Sequence, residues 1–83
     1  QVVARIPVGK NPQEISWAPD GRFAYVVNVT DNTVSVISAD SNSVTATLPV
    51  GNSPTSVAVT PDGKTGYVTN LNDGTLTMLN LAG

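Results

Sequence analysis

The chain has 83 residues, of which 40% are hydrophobic and 12% charged, with a formal net charge of −2. That length allows one small domain, and the composition is too apolar for charge-driven disorder. The four basic residues are scattered and Cys and His are absent, which excludes a phosphate-binding stripe, disulfides, thiolate chemistry and His-based catalysis. We therefore expect no nucleic-acid partner, no metal, no cofactor and no membrane span, since no apolar run approaches about 20 residues.

An internal repeat dominates the sequence. A shift of about 42 residues aligns the chain with itself without a gap. Pro7-Val8-Gly9 falls on Pro49-Val50-Gly51, and Pro19-Asp20-Gly21 falls on Pro61-Asp62-Gly63. The two repeats cover about residues 2–43 and 44–83. Pro and Gly recur at too many matched positions for the repeat to be accidental.

Apolar side chains alternate with period two inside each repeat, which predicts strands rather than helices. The Pro-Asp-Gly triplets predict tight turns, because Pro fixes φ, Asp bonds locally and Gly accepts a positive φ. In chain order, the predicted strands are residues 2–6, 14–18, 23–28, 33–38, 44–48, 56–60, 65–70 and 75–81.

Four short strands in a repeat of this length are typical of a β-propeller blade. The sequence thus predicts an all-β fold of two four-stranded antiparallel blades. With strands lettered A to D from the propeller axis outward, the chain order is D-ABCD-ABC. The first strand, residues 2–6, would then complete the last blade of another copy by pairing with residues 75–81.

Two tetrapeptides carry a family resemblance. Tyr67-Val68-Thr69-Asn70 is the motif of the YVTN-repeat family, and Tyr25-Val26-Val27-Asn28 differs from it at one position. The chain resembles this family over nearly its whole length. The resemblance implies a closed propeller, commonly of seven blades, in an extracellular, cell-surface or periplasmic setting in a prokaryote. Relatives of this kind include surface-layer proteins, lactonase-like proteins and periplasmic dehydrogenases, but the resemblance carries over no catalytic residue.

A blade is apolar on both faces because it lies between two neighbours. Two blades bury only one shared interface. Several hundred Å² of apolar surface would stay exposed to solvent on each outer face, which loses about 10 kcal/mol of hydrophobic stabilisation. Three or four copies joined head to tail would form a ring of six or eight blades, so we expect a homotrimer or homotetramer. The alternative is that further blades lie beyond both ends of this sequence.

The candidate ligand-binding residues lie in the loops that follow strands D and B, which share one face of a propeller. By this placement they are Lys10, Asn11, Gln13, Glu14, Asn52 and Ser53. The alternative is a solvated rim that binds nothing. The positions assigned to the structural motif are Pro19, Asp20, Gly21, Tyr25, Asn28, Pro61, Asp62, Gly63, Tyr67 and Asn70.

Each motif side chain has an expected structural role. Asn28 and Asn70 should cap the loop after strand B by bonding its backbone. Tyr25 and Tyr67 should pack between blades, and Trp17 should lie in a core.

The loop aspartates and the sequon have structural explanations as well. Asp31 and Asp73 are interpreted as turn residues, because one carboxylate per loop supplies too few oxygens for calcium. Asn28-Val29-Thr30 matches the glycosylation sequon. A strand end that precedes Thr produces this pattern by accident.

The sequence favours a non-enzymatic scaffold or binding module, since it offers one Glu and isolated turn aspartates rather than a catalytic cluster. A second hypothesis is a piece of a propeller enzyme, such as a lactonase-like hydrolase or a dehydrogenase, whose active residues lie in missing blades. A third is a surface-layer or adhesion module.

Overall fold

A computed structural model describes residues 5–81, none of which is helical. The chain forms seven strands, which are β1 (Pro12–Trp17), β2 (Phe23–Asn28), β3 (Thr33–Ser38), β4 (Ser43–Pro49), β5 (Pro54–Val59), β6 (Thr65–Asn70) and β7 (Thr75–Asn80). The predicted first strand, residues 2–6, lies mostly outside the described residues, and residues 5–8 belong to no strand.

The strands form two antiparallel sheets in which sequence neighbours are also spatial neighbours. Blade 1 has the order β1-β2-β3-β4 and blade 2 has the order β5-β6-β7. Strand β5 lies against β1 and β2, so the inner strands of the two sheets meet. This arrangement confirms the prediction of two propeller blades with A-B-C-D and A-B-C strands.

The inner strands begin two residues earlier than predicted. Pro12 pairs with Asn28 and Pro54 pairs with Asn70, and in both blades the register shifts immediately afterwards. A proline is tolerated as the first residue of a strand, where its missing N–H interrupts no ladder. A third irregularity lies in β3–β4, where the register shifts between Val36 and Ile37.

The Pro-Asp-Gly triplets form the β1–β2 and β5–β6 turns. In the first, the Asp20 carboxylate accepts the backbone N–H of Arg22 at 3.0 Å, and Gly21 N–H donates to the Ala18 carbonyl at 3.0 Å. Gly21 and Gly63 adopt φ of 75° and 74°, in the left-handed region that glycine enters without steric cost.

The core lies between the two blades. One face of blade 1 packs against one face of blade 2, and both contribute mostly β-branched or aliphatic side chains. The buried cluster consists of Ala18, Tyr25, Val27, Val34, Val57, Val68 and Leu79.

Candidate functional site: a loop clasp and two open blade faces

The linker between the blades is held by the β6–β7 loop of blade 2. Gly51 N–H donates to the side-chain oxygen of Asn70 at 3.1 Å, and Asn52 N–H donates to the Asp73 carboxylate at 2.9 Å. The Asn52 amide donates to the other oxygen of Asp73, also at 2.9 Å. We call this set of bonds the clasp.

The first repeat forms one of the three clasp bonds, at Lys10. Lys10 N–H donates to the Asp31 carboxylate at 2.8 Å, as Asn52 does to Asp73. The side-chain oxygen of Asn28 is buried and accepts no hydrogen bond from the described residues. Its counterpart on Asn70 accepts the N–H of Gly51.

The clasp explains why each linker carries a glycine. A Cβ added to Gly51 would lie 2.6 Å from Cγ of Asn70, and one added to Gly9 would lie 2.6 Å from Cγ of Asn28. Any side chain would push the linker off the loop. This role of the glycines was not predicted from the sequence, although the matched spacing of Gly, Asn and Asp in both repeats contains the signal.

The motif asparagines differ from expectation in their partners. The amide of Asn28 donates to the hydroxyls of Thr33 and Ser35, at 3.2 and 2.9 Å, rather than to loop backbone. The amide of Asn70 donates to hydroxyls of β7, the shortest bond being 2.8 Å to Thr77, and also to the backbone carbonyls of Val68 and Thr75, so the expected backbone bonding is confirmed for Asn70. Asn28 is fully buried, so the asparagine of the sequon is not accessible for glycosylation in the folded chain.

The aspartates also have partners outside their own turns. Asp31 and Asp73 lie in turns, as predicted. Both carboxylates in addition accept an N–H group of a linker 21 residues away in sequence. The reason is that the loop after strand B folds over the linker that leads into strand A.

A further set of bonds joins the blades. Asn32, in the β2–β3 loop of blade 1, accepts the N–H of Ser53 at 2.9 Å and donates its amide to the Asn52 side chain at 3.3 Å. Val50 N–H donates to the Asn32 carbonyl at 3.0 Å. The corresponding residue of blade 2 is Gly74, which has no side chain to offer.

The six predicted rim residues divide between the two linkers and strand β1. Asn11 accepts the amide of Gln13 at 2.8 Å, and Glu14 is exposed on β1. Asn52 and Ser53 bond residues 32, 72 and 73. Many polar groups of the rim thus hold the loops together, and ligand binding there stays a prediction.

Equivalent residues of the two repeats differ sharply in exposure. Val57 is 4% exposed, whereas Ile15 at the same repeat position is 54% exposed. Val34 is fully buried, whereas its counterpart Leu76 is 59% exposed. The buried member of each pair lies between the blades, so the exposed member lies on an outer face. We call these the blade 1 open face and the blade 2 open face.

The open faces also hold two of the predicted core aromatics. Tyr25 is buried between the blades, but Tyr67 is 38% exposed. The expectation that Trp17 lies in a core is wrong for this chain alone, since Trp17 is 57% exposed. The physical reason is that Trp17 shares a repeat position with Val59, which packs against the buried cluster between the blades, whereas Trp17 lies on the outer face of blade 1.

A cleft of about 490 Å³ opens between the blades, near the β1–β2 and β5–β6 turns. Its walls include Tyr25, Val36 and Leu48 of blade 1 and Leu81 of blade 2. The cleft is apolar on the side of β4, and it lies beside the strand that ends blade 2.

Two ionisable groups have pKa values shifted from their ordinary values. Burial raises the pKa of Tyr25, and the nearby Asp20 carboxylate adds to the rise. The Thr60 hydroxyl at 2.6 Å and the N–H of Lys64 at 3.0 Å lower the pKa of Asp62. Both groups lie at the Pro-Asp-Gly turns or next to them.

The residues from 5 to 81 contain no group of three His, Cys, Asp or Glu side chains that could hold a metal ion. Over the same stretch, no helix has the length and hydropathy that a bilayer crossing requires.

No family model matches the chain. Among curated proteins, it is 44% identical over 36 residues to hydrazine synthase subunit beta of Kuenenia stuttgartiensis, a match that covers 43% of this chain and 9% of that protein. Among solved structures, Kuenenia stuttgartiensis hydrazine synthase superposes with a TM-score of 0.86 at 27% identity, covering 99% of this chain and 23% of the other.

Two further structures share the architecture. Dihydro-heme d1 dehydrogenase NirN in complex with DHE gives a TM-score of 0.87 at 28% identity, covering 95% of this chain and 17% of the other. A 6-phosphogluconolactonase-like protein of Bacteroides fragilis gives 0.74 at 22% identity, covering 83% of this chain and 21% of the other, which supports the fold alone. The chain is a pair of β-propeller blades, similar to parts of larger propeller proteins.

Proposed function

We propose that this chain is a two-blade unit of a closed β-propeller and acts as a non-enzymatic scaffold or binding module. The observation that carries the proposal is the contrast between Ile15, which is exposed, and Val57, which is buried at the same repeat position. Each open face continues the chemistry of the buried interface, and such patches mark association surfaces. Further blades on both sides would restore burial.

We propose that these further blades are supplied by other copies of the same chain. The blade 2 open face would dock on the blade 1 open face of the next copy, head to tail, and a ring results if the rotation closes. Three copies give six blades and four give eight, both within the known range for propellers. The resemblance to YVTN repeats supports an extracellular, cell-surface or periplasmic setting.

A second candidate is a segment of a larger propeller enzyme. The similarity to hydrazine synthase and to a heme dehydrogenase favours it, because this chain spans only 23% and 17% of those two proteins. In that case neighbouring blades of one longer chain cover both open faces. Any catalytic residues would lie in those blades.

The single tryptophan tests the proposal. Trp17 is the chain's one Trp and lies on the blade 1 open face. Docking should shift its fluorescence maximum to shorter wavelength, and dilution should reverse the shift. If the chain is folded and the fluorescence maximum of Trp17 stays that of a solvent-exposed indole at every concentration, self-assembly is contradicted. A blue shift only in a longer parent chain would favour the second candidate.

A further inference from the structure

The two Pro-Asp-Gly turns lie against each other at one end of the cleft between the blades. A Cβ added to Gly63 would lie 3.6 Å from Cδ of Pro19, so the β5–β6 turn of blade 2 contacts the β1–β2 turn of blade 1. Asp20 and Asp62, the middle residues of the two triplets, both line the cleft. The turns therefore place one carboxylate from each blade beside the same cavity.

Each carboxylate uses one of its oxygens within its own turn. Oδ1 of Asp20 accepts the N–H of Arg22 at 3.0 Å, and Oδ1 of Asp62 accepts the N–H of Lys64 at 3.0 Å. The Thr60 hydroxyl also donates to Oδ1 of Asp62, at 2.6 Å. The turns thus engage Oδ1 in both blades and leave Oδ2 to accept hydrogen bonds from another group.

A tyrosine hydroxyl lies in the same cleft. Tyr25 is 5% exposed and lines the cavity. None of the residues from 5 to 81 forms a hydrogen bond with this hydroxyl, and protein atoms do not enclose it completely. The Asp20 carboxylate is near enough for its charge to help raise the pKa of Tyr25. Because a buried phenol usually finds a hydrogen-bond partner, this one indicates a group that binds in the cleft.

The rest of the cavity is mostly apolar. Phe23, Val36 and Leu48 of blade 1 line it together with Leu81 of blade 2. Phe23 is 37% exposed, so part of its ring is free to contact a ligand. The cleft volume of about 490 Å³ lies within the range of about 300–1,000 Å³ that is usual for ligand pockets.

The polar groups of the cleft suit an organic cation. The two aspartates carry like charges, and a positive group beside both would relieve their repulsion. Arg22 and Lys64 follow the aspartates in sequence, but neither lines the cleft. Two carboxylates and a phenol supply fewer oxygens than the roughly six to eight that Ca²⁺ takes. An ammonium group has three N–H donors, which these three side chains can accept.

We infer that the cleft binds an amine with an apolar body, such as an arylalkylamine. Its ammonium would donate to Oδ2 of Asp20 and of Asp62 and to the oxygen of Tyr25, while its hydrocarbon would pack against Phe23 and Leu48. The inference rests on the binding-module part of the proposed function and adds a ligand class. It does not depend on what covers the two open faces, because both blades that form the cleft belong to one chain.

Titration of the intact chain with phenethylamine tests this inference. Two-dimensional NMR follows the backbone amide signals of Gly21 and Gly63, and we expect saturable shifts at both turns. Phenethyl alcohol has the same apolar body without the charge. It should bind at least about 10-fold more weakly, because hydrogen bonds between charged groups are the stronger ones. Ethylamine, which has the charge without the ring, should bind too weakly to saturate.

Three variants assign the contacts. Asp20→Asn and Asp62→Asn keep the Oδ1 acceptor of each turn and remove the charge, so each should weaken phenethylamine binding about 5-fold or more. Tyr25→Phe removes the hydroxyl and should weaken binding about 5-fold. The matched controls are Asp40→Asn, in the exposed β3–β4 loop, and Tyr67→Phe, at the repeat position of Tyr25 in blade 2. Both controls should bind as the natural chain does.

Two results would overturn the inference. One is equal affinity for phenethylamine and phenethyl alcohol, and the other is equal binding by the cleft variants and their controls. The mass of the particle reports on the proposed ring separately. Rings that show no saturable shifts at the turns would overturn the inference and leave the ring standing. A monomer that binds phenethylamine as described would support the inference and overturn the ring.

Discussion

The side-chain oxygen of Asn70 accepts the N–H of Gly51 at 3.1 Å, which ties the end of β6 to the linker that leads into its own blade. The same side chain donates to Thr77 on β7 at 2.8 Å. One buried amide thus joins a strand end, the next strand and the linker. The clasp is a means of setting where each blade begins.

Replacing Gly51 with Ala should break this clasp. The new Cβ would lie 2.6 Å from Cγ of Asn70, so the linker must move and the buried amide loses a partner. We expect the free energy of unfolding to fall by about 1–3 kcal/mol. Urea denaturation followed by circular dichroism measures the change.

Gly66→Ala is the matched control for that variant. A Cβ at Gly66 would meet Leu81 at 3.4 Å, an ordinary contact, and the first repeat carries Ala24 at the same position. We expect a change of at most about 0.5–1 kcal/mol, in the stabilising direction. Equal losses in both variants would show that the clasp has no special weight.

Much of the fold follows from local pattern. Residues 23–28, 33–38 and 65–70 were predicted as strands with the bounds that the structure has. The inner strands start earlier, at Pro12 and Pro54, which pair with the motif asparagines Asn28 and Asn70. Alternation of apolar residues does not contain that information.

The site was harder to predict for a physical reason. Both repeats carry apolar residues at these matched positions. The local sequence therefore does not show that Val57 and Val59 are more buried than Ile15 and Trp17. Their burial depends on whether another blade lies beside them, which is a property of the assembly. Likewise, the partners of Asp31 and Asp73 lie across the loop face and show only as a matched spacing.

A charge on the blade 2 open face should block docking without unfolding the chain. We expect Leu76→Lys to weaken association by at least about 100-fold, since an ammonium buried between blades has no carboxylate partner there. Sedimentation velocity checks the association state. Thr55→Lys, which adds the same charge at an exposed position of the rim, should assemble normally.

An asparagine at position 74 should strengthen association. Gly74 has φ of 63° and free space around a Cβ, and Asn32 occupies the same repeat position at φ of 57°. By analogy with the bond from Ser53 N–H to Asn32, Gly74→Asn would accept the N–H of Asn11 from the next copy. One such bond contributes about 1 kcal/mol, or about 5-fold in affinity per interface.

Gly74→Ala provides the contrast for position 74. Alanine tolerates positive φ less well than asparagine and has no side-chain acceptor, so it should cost about 1 kcal/mol and leave association no stronger. Concentration-dependent light scattering compares the two variants. Equal strengthening by Ala would remove the hydrogen bond as the cause.

Alkaline pH should destabilise the chain through Tyr25. Burial raises the pKa of this phenol above its ordinary value of 10.0, so the unfolded chain ionises first. The contribution of protonated Tyr25 to the free energy of unfolding is therefore complete below pH 10. It is lost as pH rises through the higher pKa that Tyr25 has in the folded state. In a Tyr67→Phe variant, tyrosinate absorbance reports Tyr25 alone and should appear only above pH 10.

Tyr25→Phe separates this effect from general alkaline unfolding. Without the buried phenol, the free energy of unfolding should depend less on pH above 10. The two unfolding curves are compared across the alkaline range by chemical denaturation. An unchanged dependence would assign the alkaline loss to other groups.

The most direct test of the account is the mass of the folded particle by native mass spectrometry at micromolar concentration. Because each chain leaves one face of each blade uncovered, we predict a closed particle of three or four chains with no free ends. A monomer that remains soluble and unfolds cooperatively would contradict the claim that these blades require neighbours.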